Sequence, residues 1–203
     1  MNQEFRIKFG RFKHIFLSLQ EILKHTHAYN IGSYLMDAGS LEYDFNMIGK
    51  QSALFSAARS SKNVIEIGSY ACHSALIILL ANDNVKITMV DPCHFSHTKK
   101  CSDFLGYVFP GRVNLIQGYS PESVNSIETE DKFDLIHIDG EHTFESAEKD
   151  FNACLPLASK KASVVFDDYN FPEVKRYVDS NTKIKQPCKI HGNISQAAIS
   201  NII

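Results

Sequence analysis

The sequence predicts a doubly wound α/β fold, on two observations: short β-branched runs alternate with helix-length segments, and carboxylates gather where those runs end. The runs are Val64-Ile65-Glu66-Ile67, Val85 to Val90, Val113 to Ile116, Phe133 to Ile138 and Ala162 to Phe166. Between them lie Ser74 to Leu80 and Thr143 to Leu155, each long enough for a helix. Strands alternating with helices imply βαβ units and a mostly parallel sheet covered on both faces. Pro172 suits the first turn of a further helix, Pro172 to Val178. The tail holds two more strand candidates, Ile184 to Ile190 and Gln196 to Ile203. A turn at His191-Gly192-Asn193 would make them an antiparallel pair closing the sheet.

The first sixty residues have a different texture and are expected to form a helical cap, residues 1–60, in front of a 61–203 domain. Phe5, Phe9, Phe12, Phe16, Leu19 and Leu23 recur every three or four residues, which predicts one helix from Phe5 to His25. Asn30 to Ser40 reads as a loop. A second helix runs from about Asp44, as N-cap, to Arg59.

Composition narrows the functional classes. The 203 residues are 44% hydrophobic and 22% charged, with a net charge of −2, ordinary for a globular domain. That balance offers no basic excess for a nucleic-acid backbone, so no nucleic-acid partner is expected. No run of 18 apolar residues occurs, so no membrane span is expected. The basic N-terminus lacks the apolar core of a secretory signal. Five scattered cysteines without a CxxC pair read as reduced thiols, which implies a cytoplasmic protein.

Ligands of such sheets bind outside the carboxyl ends of the strands. The first strand ends in Glu66-Ile67-Gly68-Ser69-Tyr70, where Gly68 permits a tight turn and the next helix offers free N–H groups. The second ends in Asp91, placed either to accept hydrogen bonds from a ribose diol or to cap a helix. Together they favour an adenosine-containing cofactor. Gly68 is the only glycine of its loop, which argues against the pyrophosphate of a nicotinamide dinucleotide. The later strands end in Ile138-Asp139-Gly140-Glu141-His142 and Phe166-Asp167-Asp168-Tyr169. Clustered carboxylates repel and need a cation or shared protons, and Mg²⁺ favours such oxygen ligands; capping of the following helices is the other reading. His142, three residues beyond Asp139, is a candidate general base. Cys93-His94-x-x-His97-x-x-x-Cys101 has zinc-binding residue types but not a common zinc spacing.

These segments resemble a known family. Gly68-Ser69-Tyr70-Ala71-Cys72-His73-Ser74-Ala75 is similar to the first motif of the catechol O-methyltransferase type, and Gln117-Gly118-Tyr119-Ser120 to its adenine-lining segment. The pair Ile138 to His142 and Phe166 to Tyr169 resembles metal-dependent O-methyltransferases that tailor antibiotics and sugars. The resemblance spans about residues 44 to 180 and implies a class I, Rossmann-like fold that binds S-adenosylmethionine. It implies cofactor contacts from Glu66, Gly68, Ser69, Tyr70, Ser74, Asp91, Gly118, Tyr119, Ser120 and Asp139. It also implies Mg²⁺ on Asp139, Asp167 and Asp168, with His142 as the base that prepares a hydroxyl of a small-molecule acceptor.

One residue departs from the pattern: Cys72 stands where the family has its second glycine. It either crowds the methionine end of the cofactor, is tolerated by a shifted loop, or marks a chain without catalysis. A metal-independent methyltransferase and a non-catalytic cofactor-binding module are the alternatives. The N-terminal helices, rich in aromatics, are expected to roof the acceptor pocket or to pair subunits in a homo-oligomer.

Overall fold

Residues 2–185, 188–191 and 196–202 are described by a computed structural model. Five strands, β1 (Asn63–Ile67), β2 (Lys86–Asp91), β3 (Val113–Gln117), β4 (Phe133–Ile138) and β5 (Ala158–Phe166), run parallel in the order β3-β2-β1-β4-β5. The chain order reverses between β1 and β4, the switch point at which doubly wound sheets take their ligands. Beyond β5 the sheet is extended by β7 (Gln196–Asn201) and β6 (Cys188–His191), paired antiparallel in the register Val164↔Ser200 and Lys189↔Ala198. Of the expected strand from Ile184 to Ile190, only the end is in β6; Ile184 itself makes a single bridge to Ile202. The Gly192-Asn193 turn and the last residue of the expected final strand lie outside the described residues.

The helix after β1, α4 (His73–Ala81), is buried at every position. A helix apolar all round must be covered all round. The sheet covers one side. The N-terminal helices α1 (Asn2–Arg11) and α3 (Ile48–Ala58) cover the other, and Phe5, Leu54 and Phe55 share one core cluster with Leu76, Ile78 and Val64. On the opposite face of the sheet, α7 (Phe144–Cys154) and α8 (Pro172–Ser180) set Phe151 and Tyr177 against Phe166. Thr143 caps α7 by accepting from the Ser146 amide at 3.1 Å.

The expected N-terminal helix and the placing of its aromatics are corrected. The single helix from Phe5 to His25 is broken at Phe12, whose backbone leaves the helical region and whose amide is shared between the Lys8 and Phe9 carbonyls; α2 (Lys13–His25) then leads off to contact α5 (Ser96–Val108). The bend lets α1 pack on α3 and α4 while α2 packs on α5, which one straight rod could not do. The aromatics Phe5, Phe9 and Phe16 are buried in this packing rather than presented to a pocket or a second subunit. The segment from Asn30 to Ser40 is a loop, as expected, and part of it is core. Tyr34, Leu35 and Met36 are buried, and Ser33 and Met36 form a short antiparallel bridge.

At the switch point Gly68 lies against the end of β4. It has φ +83°, and a Cβ there would stand 2.1 Å from the Asp139 carbonyl oxygen. Only glycine suits both the conformation and the contact. Gly68→Ala is expected to cost at least about 2 kcal/mol of stability through strain and displaced backbone, measured by urea denaturation.

Candidate active site

Two cavities open at the carboxyl ends of the strands and share a wall formed by Gly68, Ser69, Tyr70, Phe95, Asp139 and Gly140. The first, about 610 Å³, lies over β2 and β3 and is lined by Asp91, Tyr119, Ser120 and Glu141. The second, about 500 Å³, lies over β4 and β5 and is lined by Tyr34, Lys50, His73, His142, Asp167 and Asp168.

The glycine loop is held by Asp91. Its Oδ2 accepts from the Ser69 amide at 2.8 Å and the Tyr70 amide at 3.3 Å, and its Oδ1 accepts from the Cys93 amide at 2.7 Å. Asp91 therefore braces the loop from below while its edge lines the first cavity. Ser69 donates its hydroxyl to Glu66 Oε2 at 3.1 Å. Glu66 is fully buried and lines neither cavity, so it supports the site through Ser69 instead of touching its contents. Gly118 likewise lies behind the wall, where a Cβ would meet the Ser123 hydroxyl at 2.0 Å. Ser74 is buried and lines the second cavity. Cys72, at the N-cap of α4, adopts the left-handed conformation that glycine takes without cost, φ +57°. Its Sγ points to the Thr98 carbonyl, 3.8 Å away, and it lines neither cavity.

In the second cavity His142 Nε2 stands 3.1 Å from Asp168 Oδ2 and 4.0 Å from Asp139 Oδ1, and its ring packs on Phe171. Asp139, His142 and Asp168 converge closely enough to hold a metal ion, as do His137, Asp139 and Asp167. Among the described residues no such group includes Cys93, His94, His97 or Cys101, which leaves the candidate zinc site of that segment without converging ligands.

Three residues that the sequence reading passed over complete the site. Lys50 on α3 is 3% exposed, with Nζ 2.6 Å from Asp167 Oδ1 and 3.7 Å from Asp168 Oδ1. It sits 4.4 Å above the Tyr34 ring. Burial alone would lower the pKa of this amine, but Asp167, Asp139 and Asp168 outweigh it and hold the value above the usual one. Asp139 is pushed well above the carboxylate range, first by burial, then by repulsion from Asp167, with Lys50 opposing. Tyr34 lies 3.0 Å from His137 Nε2, and His137 Nδ1 lies 2.9 Å from Glu66 Oε1. A carboxylate can only accept. The proton therefore lies on Nδ1, and Nε2 accepts from the Tyr34 phenol.

Two of the three left a trace in the chain. Lys50 falls on the buried stripe of its helix with Met47, Gln51, Leu54 and Ala58. Glu66 and His137 are polar residues in otherwise apolar strands, and they are register partners across β1 and β4.

A family model described as a methyltransferase domain matches residues 65–169, from β1 to the end of the carboxylate segment. The chain belongs to the methyltransferase domain family. No curated protein matches the sequence. Solved structures share its fold. An O-methyltransferase from Bacillus cereus in complex with SAH is 14% identical with a TM-score of 0.67, covering 90% of each chain. TomG, an O-methyltransferase from Streptomyces achromogenes involved in tomaymycin synthesis and solved with SAM, is 13% identical with a TM-score of 0.68. It covers 93% of this chain and 89% of its own. Cofactor-bound Rv0187 from MTB is 14% identical with a TM-score of 0.72, over 93% of this chain and 89% of that one. At these identities the likeness is one of fold.

The segment 31–38 of this methyltransferase is pinned over the second cavity by side-chain contacts. Besides the Tyr34 phenol, Ser33 Oγ lies 2.5 Å from His73 Nδ1. Replacing Tyr34 by Phe leaves His137 Nε2 buried without that donor. The variant is expected to lose about 1–3 kcal/mol in chemical denaturation.

The pKa of His73 is lowered to about 3, by burial first and then by nearby His97. The unfolded chain therefore takes up a proton near pH 6.5 that the folded protein refuses. Stability should fall as the pH drops from 6.5 toward 3, by up to about 1.4 kcal/mol per unit from this group. Denaturation midpoints at pH 7, 6 and 5 test this, and His73→Gln should show a shallower slope than the parent protein.

Proposed function

We propose that this methyltransferase transfers a methyl group from S-adenosylmethionine to a hydroxyl of a small molecule. The observation that carries the reading is the shared wall. A cavity edged by Asp91, Tyr119 and Ser120 adjoins one holding His142, Asp167 and Asp168, with Gly68 to Tyr70 and Asp139 between them. Such an arrangement suits a donor and an acceptor that must meet in line. The SAM- and SAH-bound relatives of the same fold support the choice of donor. The volume of the second cavity falls within the range of small-molecule pockets.

The bound cofactor supplies an electrophilic methyl on a sulfonium; the protein supplies orientation and a route for the proton. The adenosine end belongs to the first cavity, with Asp91 at the ribose and Tyr119 and Ser120 along the base. Asp91 carries backbone hydrogen bonds already, but a carboxylate has about four acceptor positions and can take a diol as well. The methionine end belongs at the shared wall, near Gly68, Ser69, Tyr70 and Ser74. An alcohol or phenol attacks poorly while protonated. His142 is the group placed to accept that proton: Asp168, 3.1 Å from Nε2, holds the imidazole through that nitrogen, and Nδ1 takes the proton.

The carboxylates also fit a divalent cation. Asp139, Asp167 and Asp168 gather around one end of Lys50, an oxygen-rich cluster of the kind that hard divalent cations favour. Asp139 belongs to both groups of side chains that lie close enough to share an ion, with Asp167 in one and Asp168 in the other. We assign Asp139, Asp167 and Asp168 as the residues that would hold Mg²⁺, which would favour the deprotonated form of the acceptor oxygen.

Two measurements test the reading. Calorimetric titration with S-adenosylhomocysteine should show one site per chain at micromolar affinity, and absence of binding would remove the cofactor assignment. His142→Ala should reduce turnover of an accepted substrate by roughly 10²–10⁴-fold while leaving that titration unchanged. Turnover equal to the parent protein would exclude His142 as the base.

A further inference from the structure

A buried lysine in the middle of a carboxylate cluster is an unusual occupant of a site suited to a divalent cation. Lysine is almost never fully buried unless paired. Lys50 reaches the cluster from α3, outside the family-matched segment, on the inward face between Met47 and Leu54. Its ammonium is held from two sides. Asp167 and Asp168 take it as a counter-ion, and the face of the Tyr34 ring, itself anchored through His137 to Glu66, supports it from below. The position is therefore built, not incidental to a flexible side chain.

We propose that Lys50 is the resident counter-ion of this cluster and that it competes with the divalent cation for Asp167, so that it sets how tightly the metal binds. The inference rests on the metal reading above. Asp167 Oδ1 is the atom that Lys50 contacts at 2.6 Å. A metal ion bonded to the same carboxylate at about 2.1 Å would bring the two positive charges within about 5 Å in a poorly hydrated setting. One of them has to give way. The lysine stem is flexible, and its ammonium is a compact charge with rotatable donors, so it can withdraw from Asp167 without leaving the cavity. With no metal bound, the ammonium keeps Asp139, Asp167 and Asp168 from repelling one another. With metal bound, it has to yield that role. Weak and reversible metal binding follows.

The test is a Mn²⁺ titration of the full chain, followed by calorimetry and by the electron-spin signal of free Mn²⁺, for the parent protein and for Lys50→Gln. The Gln side chain keeps length and hydrogen-bonding capacity but removes the charge. We expect Lys50→Gln to bind Mn²⁺ at least tenfold more tightly. Equal or weaker affinity in a variant that still binds S-adenosylhomocysteine overturns the competition and leaves the metal reading standing. Failure of both proteins to bind Mn²⁺, with S-adenosylhomocysteine binding intact, overturns the metal reading and this inference together, but not the cofactor assignment. If Lys50→Gln does not fold, the parent protein alone decides. The nitrogen resonance of the Lys50 ammonium, assigned with Lys50→Arg, should move on saturation with Mg²⁺. An unmoved resonance at saturation overturns the proposal.

Discussion

The contact between Gly68 and the Asp139 carbonyl is the constraint from which the site is built. A sheet with its order reversing between β1 and β4 leaves a crevice there, but a crevice alone does not join two pockets. Here the loop after β1 closes onto the end of β4 with no room for a single methyl group between them. The Gly68 amide is bonded to Val90 and the Asp139 amide to Ile67, so the two loops leave the sheet tied to its strands. Because they abut, the cavity over β2 and β3 and the cavity over β4 and β5 are separated by one layer of backbone. That adjacency is what a transfer reaction between two bound molecules needs.

Around this contact the protein buries an unusual amount of polar chemistry. Glu66 and His137 sit at matched positions of neighbouring central strands, where water cannot compensate an unmet donor or acceptor. They are satisfied by one another and, at the two ends, by Ser69 of the glycine loop and Tyr34 of the covering segment. The hydrogen-bonded chain thus runs from the loop beside the first cavity to the lid of the second. Tyr34 then meets Lys50, and Lys50 meets Asp167 and Asp168, so the ion-pair cluster and the hydrogen-bonded chain share a member. In a low-dielectric setting such networks hold geometry firmly when every member is paired. His142 joins the same network, since its partner Asp168 also meets Lys50.

The N-terminal region also acquires a specific role. Its helices α1 and α2 supply no lining to either cavity; α1 covers α4, which is apolar on every face. The roof of the second cavity comes from the stretch that follows them and from the start of α3, through Tyr34, Met36, Met47 and Lys50. The roof is therefore written in some twenty residues, 31–50, lying outside the family-matched segment.

Alternating apolar runs and helical spacings were enough to read the parallel sheet, its flanking helices and the carboxylates at its strand ends, because side-chain periodicity is a local property of the chain. Asp139, His142, Asp167 and Asp168 were legible for the same reason, since a βα junction places them at the ligand-binding edge whatever the rest of the protein does. What only the tertiary structure decided was the partnership of residues distant in the chain. Lys50 lies more than a hundred residues from Asp167, Tyr34 as far from His137, and Glu66 seventy-one from it. Their pairing follows from strand order and from a buried segment that looks, residue by residue, like a loop. The break at Phe12 belongs here too: the apolar spacing continues through it, and only the need to cover both α4 and α5 bends the chain.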